Sequence, residues 1–229
     1  MQSASLRPTE YLVTDKLRTR LKDSFVGNLF RSIRALQEFR AWEQARRPLP
    51  PPHMVKQTVV AAYAQAFAAD VLIETGTYFG DMVYAMKSRF RRIVSIELSR
   101  DLCAQAQRRF RKCANVEILC GDSGKLLAEI LRRESGRCLL WLDAHYSGGV
   151  TARGSICTAA VPELQAILND AGRDHIILID DARCFTGVDG YPSLEELQAL
   201  IVQRRPHYEF SVCHDIIRAH PKSEFCSPL

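Results

Sequence analysis

The stretch VLIETGTYFG (residues 71–80) is an apolar run that ends in an acid and two glycines, spaced Glu74-x-Gly76-x-x-x-Gly80. A second apolar run, RIVSIELS (92–99), carries another acid, Glu97, near its end. The pattern predicts a buried strand, a tight turn where a ligand can approach the backbone, a helix, and a second strand. An acid at the end of that second strand commonly pairs with ribose hydroxyls in open α/β sheets. The sequence therefore predicts a site for a nucleoside-type cofactor.

Strand and helix patterns alternate five times from residue 71 onward. The strand segments are VLIETG (71–76), RIVSIEL (92–98), VEILCGD (116–122), CLLWLDAH (138–145) and HIILIDDA (175–182). Such a series implies a parallel sheet covered by helices on both faces, with right-handed crossovers. Two further segments, YEFSVC and IIRAH, are separated only by His214 and Asp215, which predicts an antiparallel hairpin. The expected fold is α/β, a Rossmann-like, seven-stranded, mostly parallel sheet closed by a C-terminal antiparallel hairpin.

The chain before this series predicts an N-terminal helical extension. Apolar residues recur at steps of three and four, as in an amphipathic helix: Leu17, Leu21, Phe25, Leu29, Ile33, Leu36 and Phe39. RRPLPPPH (46–53) then predicts a stiff connector. We expect a helical extension and proline-rich connector over 1–53 and the α/β domain over 54–229. The extension could pack on the domain, cover a substrate pocket, or pair two copies of the chain as a homo-oligomer.

Every strand of the series ends in polar residues at its carboxyl end. They are Glu74, Glu97, Asp122, Asp143 with His145, and Asp180 with Asp181. Ligands of such sheets bind in the crevice outside those strand ends. A single acid there is often only a helix cap, but the repetition predicts one common site.

At these residues the chain resembles the class I S-adenosylmethionine-dependent methyltransferases, over about residues 55–220. The resemblance is carried by ETGTYFG, SIELS, CGDS and the terminal hairpin. It implies S-adenosyl-L-methionine as cofactor and Glu97 as the acceptor from both ribose hydroxyls. It also implies that the loop with Glu74, Gly76, Thr77 and Gly80 shapes the pocket around the methionine and ribose, and that Asp122 and Ser123 face the adenine.

A narrower resemblance, to metal-dependent O-methyltransferases of the catechol and sugar types, comes from LWLDAHYSGG (140–149) and LIDDAR (178–183). It implies that Asp143, Asp180 and Asp181 hold Mg²⁺ or another divalent cation, which suits clustered carboxylates. The expected reaction is methylation of a hydroxyl on a sugar or natural-product-like small molecule, with Asp143 and His145 as catalytic residues. Alternatively, Asp180 or Asp181 only caps the next helix or binds a loop.

His145 follows Asp143 by two residues and is the expected general base, because imidazole titrates near neutral pH. The alternative is that His145 only orients Asp143 or contacts the cofactor. The small-residue loop 146–160 is the expected substrate gate, since long loops in compact domains tend to be functional. Arg153 in this loop and Arg183 could hold an anionic group of the substrate, or be surface charges.

Composition limits the remaining classes. Residues 1–50 hold ten Lys and Arg against five Asp and Glu, which equals the whole net charge of +5. This basic leader and RRFRK (108–112) keep nucleic acid as a less favoured partner, and a non-catalytic cofactor-binding protein is a further alternative. Neither a membrane-spanning run nor a signal-peptide core is present, so we expect a cytoplasmic protein without membrane contact. The eight cysteines contain no C-x-x-C pair and are expected to be reduced thiols.

Overall fold

The structure is a computed structural model that describes residues 25–143, 159–188 and 190–223. The chain forms two compact units: residues up to Pro48 with Pro52–Met54, and Leu49–Pro51 with the chain from Val55 onward. In the first unit, helix α1 spans Phe25–Gln44. After it the chain turns so that the Trp42 indole N–H donates to the carbonyl of Pro48 at 2.7 Å. The division predicted at residues 53 and 54 stays a prediction.

The elements that follow α1 alternate as expected. They are α2 (His53–Ala66), β1 (Val71–Thr75), α3 (Asp81–Met86), β2 (Arg92–Glu97), α4 (Arg100–Phe110), β3 (Val116–Cys120), α5 (Ser123–Arg133), β4 (Cys138–Leu142), α6 (Ala160–Asn169), β5 (Ile176–Ile179), a 3₁₀ turn (Ala182–Cys184), α7 (Leu194–Arg204), β6 (Tyr208–Cys213) and β7 (Ile216–Pro221). None of the described helices is long and apolar enough to cross a bilayer.

The strands form one seven-stranded sheet in the order β3-β2-β1-β4-β5-β7-β6. Strands β1 to β5 pair in parallel, whereas β7 is antiparallel to both β5 and β6. The two residues between β6 and β7, His214 and Asp215, both have positive φ, 49° and 63°. This is the backbone of a two-residue hairpin turn that matches the twist of the strands. The predicted fold class is therefore confirmed, including the terminal hairpin.

Helices cover both faces of the sheet. On one face α2, α3 and α4 bury residues such as Val60, Val83 and Ala106 against β-strand side chains that include Leu72 and Trp141. On the other face α5, α6 and α7 pack on the alternate positions of the same strands, as the two-residue period of a strand requires. The apolar strand runs are buried on both sides, which leaves the carboxyl ends of the strands as the place for polar chemistry.

The cysteine prediction is wrong for one pair. Cys103 on α4 and Cys120 at the end of β3 form a disulfide, with their Cα atoms 5.6 Å apart. The pair is separated by 17 residues in sequence, and α4 packs alongside β3, so the two side chains meet. Spacing rules for metal-binding cysteines do not detect such a pair, because each residue lies singly within an apolar pattern.

Candidate active site

The loop after β1 is folded tightly over the neighbouring strand. The backbone amides of Gly76 and Thr77 both donate to the carbonyl of Ile96, at 2.9 and 3.2 Å. Gly76 has φ 84°, in the left-handed region where glycine is least strained. The turn thus brings the backbone that follows β1 beside the end of β2.

Gly80, the second glycine of the motif, has a packing role in the structure. Its φ is 75°, and a Cβ atom there would lie 2.5 Å from the ring of Phe110. The adjoining segment is held by Arg109, whose guanidinium donates to the carbonyl of Phe79 and pairs with Asp81 at 3.0 Å. Gly80 therefore lets the start of α3 approach α4 closely. Its predicted part in shaping the cofactor pocket stays a prediction.

Glu74 lies under this loop in a buried polar chain. Its carboxyl accepts from the hydroxyl of Ser95, and that hydroxyl lies 2.6 Å from the hydroxyl of Thr77. Burial raises the pKa of Glu74 to about 8, because the side chain is only 2% exposed and the charged form loses its hydration. The raised pKa favours the protonated form of Glu74 at neutral pH, and its hydrogen bond with Ser95 ties β1 to β2.

Glu97 ends β2, and both oxygens of its carboxylate are fixed by backbone amides. Tyr78 donates to one oxygen at 2.7 Å and Ser99 donates to the other at 2.9 Å. The side chain is 6% exposed. Each carboxylate oxygen can accept more than one hydrogen bond, so the group retains acceptor capacity for ligand hydroxyls. This buried, oriented carboxylate fits the ribose-binding role that the sequence predicts.

Asp122 caps helix α5. Its Oδ1 accepts from the amide of Gly124 at 3.0 Å, and its Oδ2 lies 3.5 Å from the ammonium of Lys125. Ser123, predicted beside it, is the first residue of the helix and is buried. A capping carboxylate at a helix N-terminus is favourable without any ligand. The predicted contact of Asp122 and Ser123 with adenine stays a prediction.

Three acids of neighbouring strands project from the same face of the sheet. Glu74 is in register with Trp141, and Trp141 is in register with Leu178. Because side chains alternate along a strand, Asp143 and Asp180, two residues beyond Trp141 and Leu178, lie on the side of Glu74. Their amides continue the sheet ladder, with Asp143 N–H bonded to Thr75 and Asp180 N–H to Leu142, both at 3.0 Å.

Lys56 of helix α2 reaches the acids at the end of β5, a contact that was not predicted from the sequence. Its ammonium forms a hydrogen-bonded ion pair with Asp180 and lies 4.0 Å from Asp181. The Asp180 side chain is 0% exposed and that of Lys56 is 16% exposed. Burial lowers the pKa of Lys56, but the charges of Asp180, Asp143 and Asp181 outweigh it and the pKa is raised. Lys56 is thus a fixed cation at the carboxyl ends of β4 and β5.

Asp180 is the most buried of the acids at the carboxyl ends of the strands. Burial and then repulsion from Asp143 raise its pKa to about 7, while the attraction of Lys56 opposes the shift. Its second oxygen accepts from the amide of Asp181 at 2.9 Å. Both oxygens are therefore engaged, one by the lysine and one by the backbone.

Asp181 and Arg183 belong to a second charge group, next to the terminal hairpin. The Arg183 guanidinium bonds to Asp181 at 2.9 Å and also to Asp215. Asp215 additionally accepts from the amide of Arg183 at 2.8 Å, and its carbonyl accepts from the amide of Ala182 at 2.8 Å. The hairpin turn is thereby bound to the 3₁₀ turn after β5. The Arg183 guanidinium, which could hold an anionic substrate group or be a surface charge, has two carboxylate partners within the protein.

The predicted metal set does not fit a divalent cation as the structure arranges it. Across the described ranges 25–143, 159–188 and 190–223, no group of three or more His, Cys, Asp or Glu side chains is gathered to hold a metal ion. Both oxygens of Asp180 and one of Asp181 are already used by Lys56, a backbone amide and Arg183. A hard cation needs several oxygens directed at one point. His145, Arg153 and the loop 146–158 lie outside the described residues.

The signal for Lys56 was in the helix pattern. Lys56 precedes Val60 and Tyr63 by four and seven residues, so it shares their face of α2, and both are buried. A lysine on a buried helical stripe needs a carboxylate partner. That partner is 124 residues away in sequence, which is why local patterns could not name it.

Comparison with known proteins supports the fold of this site. No family model matches the chain, and no curated protein matches its sequence. An O-methyltransferase from Bacillus cereus in complex with S-adenosylhomocysteine has a similar structure, with a TM-score of 0.57 and 14% identity, over 90% of this chain and 97% of that chain. The O-methyltransferase TomG from Streptomyces achromogenes, solved with S-adenosylmethionine, has a TM-score of 0.55 and 14% identity, over 82% of this chain and 88% of that chain. The Podospora anserina methyltransferase PaMTH1 has a TM-score of 0.53 and 18% identity, over 97% of this chain and 100% of that chain.

The expected resemblance is thus confirmed at the level of the fold: the chain has the fold of class I S-adenosylmethionine-dependent methyltransferases.

Proposed function

We propose that the chain is an S-adenosylmethionine-dependent methyltransferase that methylates a hydroxyl group of a small molecule, of the sugar or natural-product type. The observation that carries the proposal is the Glu97 carboxylate, buried at the end of β2 and oriented by the amides of Tyr78 and Ser99. It stands beside a glycine turn, on a sheet shared with structures that hold the cofactor or its product.

The residues at the ends of β1 and β2 would hold the cofactor. Glu97 would accept from the ribose hydroxyls, and the turn at Gly76 and Thr77 would leave room for the methionine part. When bound, the cofactor supplies an electrophilic methyl group. In the overall transfer the carbon–sulfur bond breaks, an oxygen–carbon bond forms, and the hydroxyl proton passes to a base.

The protein's part in that transfer is to position the acceptor and remove its proton. The acids at the ends of β4 and β5 stand next to the proposed cofactor strand and give the acceptor a polar wall. His145 as general base stays a prediction from the sequence, as does divalent-metal assistance by Asp143, Asp180 and Asp181. No step of the transfer is assigned to a metal, because Lys56 and Arg183 already pair with these acids.

Nucleic acid is the less favoured alternative acceptor in this proposal. Arg109, in the basic stretch RRFRK, is 8% exposed and is engaged with Asp81, the Phe79 carbonyl and the ring of Tyr84. It stabilises the loop after β1. A small-molecule acceptor, with no membrane contact, is the partner we propose, and pairing of two chains through the N-terminal helices remains part of the proposal.

Two measurements test the proposal. Calorimetric titration with S-adenosylhomocysteine should show binding to the wild type and a loss of about 1.5–3 kcal/mol in Glu97→Ala, typical for hydrogen bonds to a charged group. A matched control is Glu129→Ala on the exposed side of α5, which should bind normally. Unchanged affinity in Glu97→Ala would reject the assigned cofactor site.

The acceptor class is tested by transfer of a labelled methyl group to hydroxyl-bearing small molecules and, in parallel, to transfer RNA. We expect label only in the small molecules. Label in the RNA would favour the nucleic-acid alternative, and cofactor binding without transfer to any acceptor would favour a non-catalytic binding protein.

A further inference from the structure

We propose that the ammonium group of Lys56 is the resident cation of the acid row at the ends of β4 and β5, standing where a divalent metal would otherwise be held. The acid row is defined as Asp143, Asp180 and Asp181. The place of this cation in catalysis rests on the proposed function, but its existence does not. Lys56 is a positioning residue: it acts through Asp180.

The first argument is the route by which Lys56 reaches the acids. Helix α2 is anchored on the sheet by Val55, Val59 and Val60, each 0% exposed. Lys56 lies between these anchors, so its long side chain is directed by a fixed helix. The ammonium then meets Asp180, a side chain with no exposure at all. A buried carboxylate requires a partner of opposite charge, and Lys56 supplies it.

The second argument concerns the oxygens that a metal would need. One oxygen of Asp180 bonds to Lys56, the other accepts from the Asp181 amide at 2.9 Å, and Asp181 bonds to Arg183 at 2.9 Å. A divalent ion would have to replace these bonds and lie close to Lys56 itself. Cation–cation repulsion at that distance opposes such binding.

The third argument concerns charge at the end of the sheet. If Lys56 were absent, the three acids Asp143, Asp180 and Asp181 would repel one another inside a poorly hydrated site. One positive charge that pairs with Asp180 and lies 4.0 Å from Asp181 reduces that repulsion, and the charge of Asp143 also acts on Lys56. The Asp180 oxygen that Lys56 occupies becomes available to a small hard cation once the lysine charge is removed.

The test compares the divalent-ion response of the full chain with and without this charge, using melting temperature in the absence of cofactor and acceptor. The proteins are the wild type, Lys56→Gln, Lys56→Arg and the control Lys125→Gln. Lys125 is 79% exposed and pairs with Asp122 at 3.5 Å, so its loss should shift the melting temperature by no more than about 2 °C.

We expect the wild type, Lys56→Arg and Lys125→Gln to melt at the same temperature in EDTA as in excess Mg²⁺. Lys56→Gln should melt roughly 5–15 °C lower in EDTA, because a buried carboxylate loses its partner. Added Mg²⁺ should restore roughly 5–10 °C when its concentration is about 100 times its dissociation constant. If Lys56 were only structural, its loss would lower the melting temperature but would not make that temperature depend on Mg²⁺.

An equal Mg²⁺ response in the wild type and Lys56→Gln, whether both respond or neither does, would overturn the proposal. If Lys56→Gln does not fold, the wild type and Lys56→Arg decide: a saturable Mg²⁺ stabilisation of either, lost in Asp180→Asn, would overturn it, and indifference of both would support it. Binding of S-adenosylhomocysteine, measured separately, shows whether the proposed function fails independently.

Discussion

Because burial raises the pKa of Glu74, this residue should make the free energy of unfolding depend on pH. The folded carboxyl keeps its proton up to about pH 8, whereas the unfolded one loses it above an ordinary pKa of 4.5. The folded state therefore binds more protons at this group between these values, so the contribution of Glu74 to stability is highest below pH 4.5 and falls as pH rises toward 8. Above that range the contribution is lost.

The variant Glu74→Gln should remove this dependence, because an amide can keep a hydrogen bond with Ser95 without titrating. Urea unfolding of the cofactor-free protein should show a smaller fall between pH 5 and pH 8 in the variant, by about 1.4 kcal/mol for each unit of the lost pKa shift. Glu129→Gln is the control and should follow the wild type. Parallel pH profiles for wild type and Glu74→Gln would show that Glu74 is ionised in the folded state.

Single residues also show where sequence reasoning reaches its limit. Glu97 was predictable because an acid that ends the second strand has one consistent location in such sheets. Its two amide donors, Tyr78 and Ser99, were not, because they depend on how the loop after β1 folds back. Lys56 was missed for the same reason: its partner is fixed by the packing of α2, not by local sequence.

Elements were predicted well where the local pattern was strong. The five parallel strands followed from repeated apolar runs, and the hairpin from the two residues His214 and Asp215 between β6 and β7. The pattern of DMVYAMKSRF (81–90) predicts a helix that reaches Phe90, but helix α3 ends at Met86. Phe90 is still buried, so the spacing reported burial correctly but not helix.

The disulfide between α4 and β3 gives a prediction at the junction of two elements. Closing a loop of 17 residues should contribute about 3 kcal/mol, mainly by restricting the unfolded chain. The double variant Cys103→Ser/Cys120→Ser should therefore melt roughly 6–12 °C below the wild type under oxidising conditions. Cys113→Ser, a control for the loss of a cysteine outside this pair, should not.

Reduction should lower the wild type to the level of the double variant and leave the double variant unchanged. Alkylation of the unfolded wild type should attach two more labels after reduction than before. Equal labelling before and after reduction would show that Cys103 and Cys120 are thiols, as the cysteine spacing first suggested.

The sheet as a whole links the proposed cofactor site to global stability. The strands that would hold the cofactor, β1 and β2, are hydrogen-bonded to each other and, through β4, to β5. A ligand that binds only the folded state should therefore raise the melting temperature of the unit that contains the sheet. At about 100 times its dissociation constant, S-adenosylhomocysteine should raise it by roughly 5–10 °C.

Adenosine monophosphate is the comparison ligand, because it has the nucleoside but lacks the amino-acid part, and it should shift the melting temperature less. Glu97→Ala should shift less with S-adenosylhomocysteine than the wild type does. No shift in the wild type at concentrations that saturate calorimetric binding would indicate that the ligand also binds the unfolded chain.

The position of β7 has a consequence for synthesis on the ribosome. This strand follows all the other described strands in the chain, yet it lies inside the sheet, between β5 and β6. Until it emerges, the open side of β5 presents unpaired backbone groups, which are a template for association with other chains. A nascent chain paused between Ile179 and Ile216 would thus expose the unpaired edge of β5. A premature stop codon in that interval should lead to aggregation or rapid degradation of the product instead of a smaller stable protein.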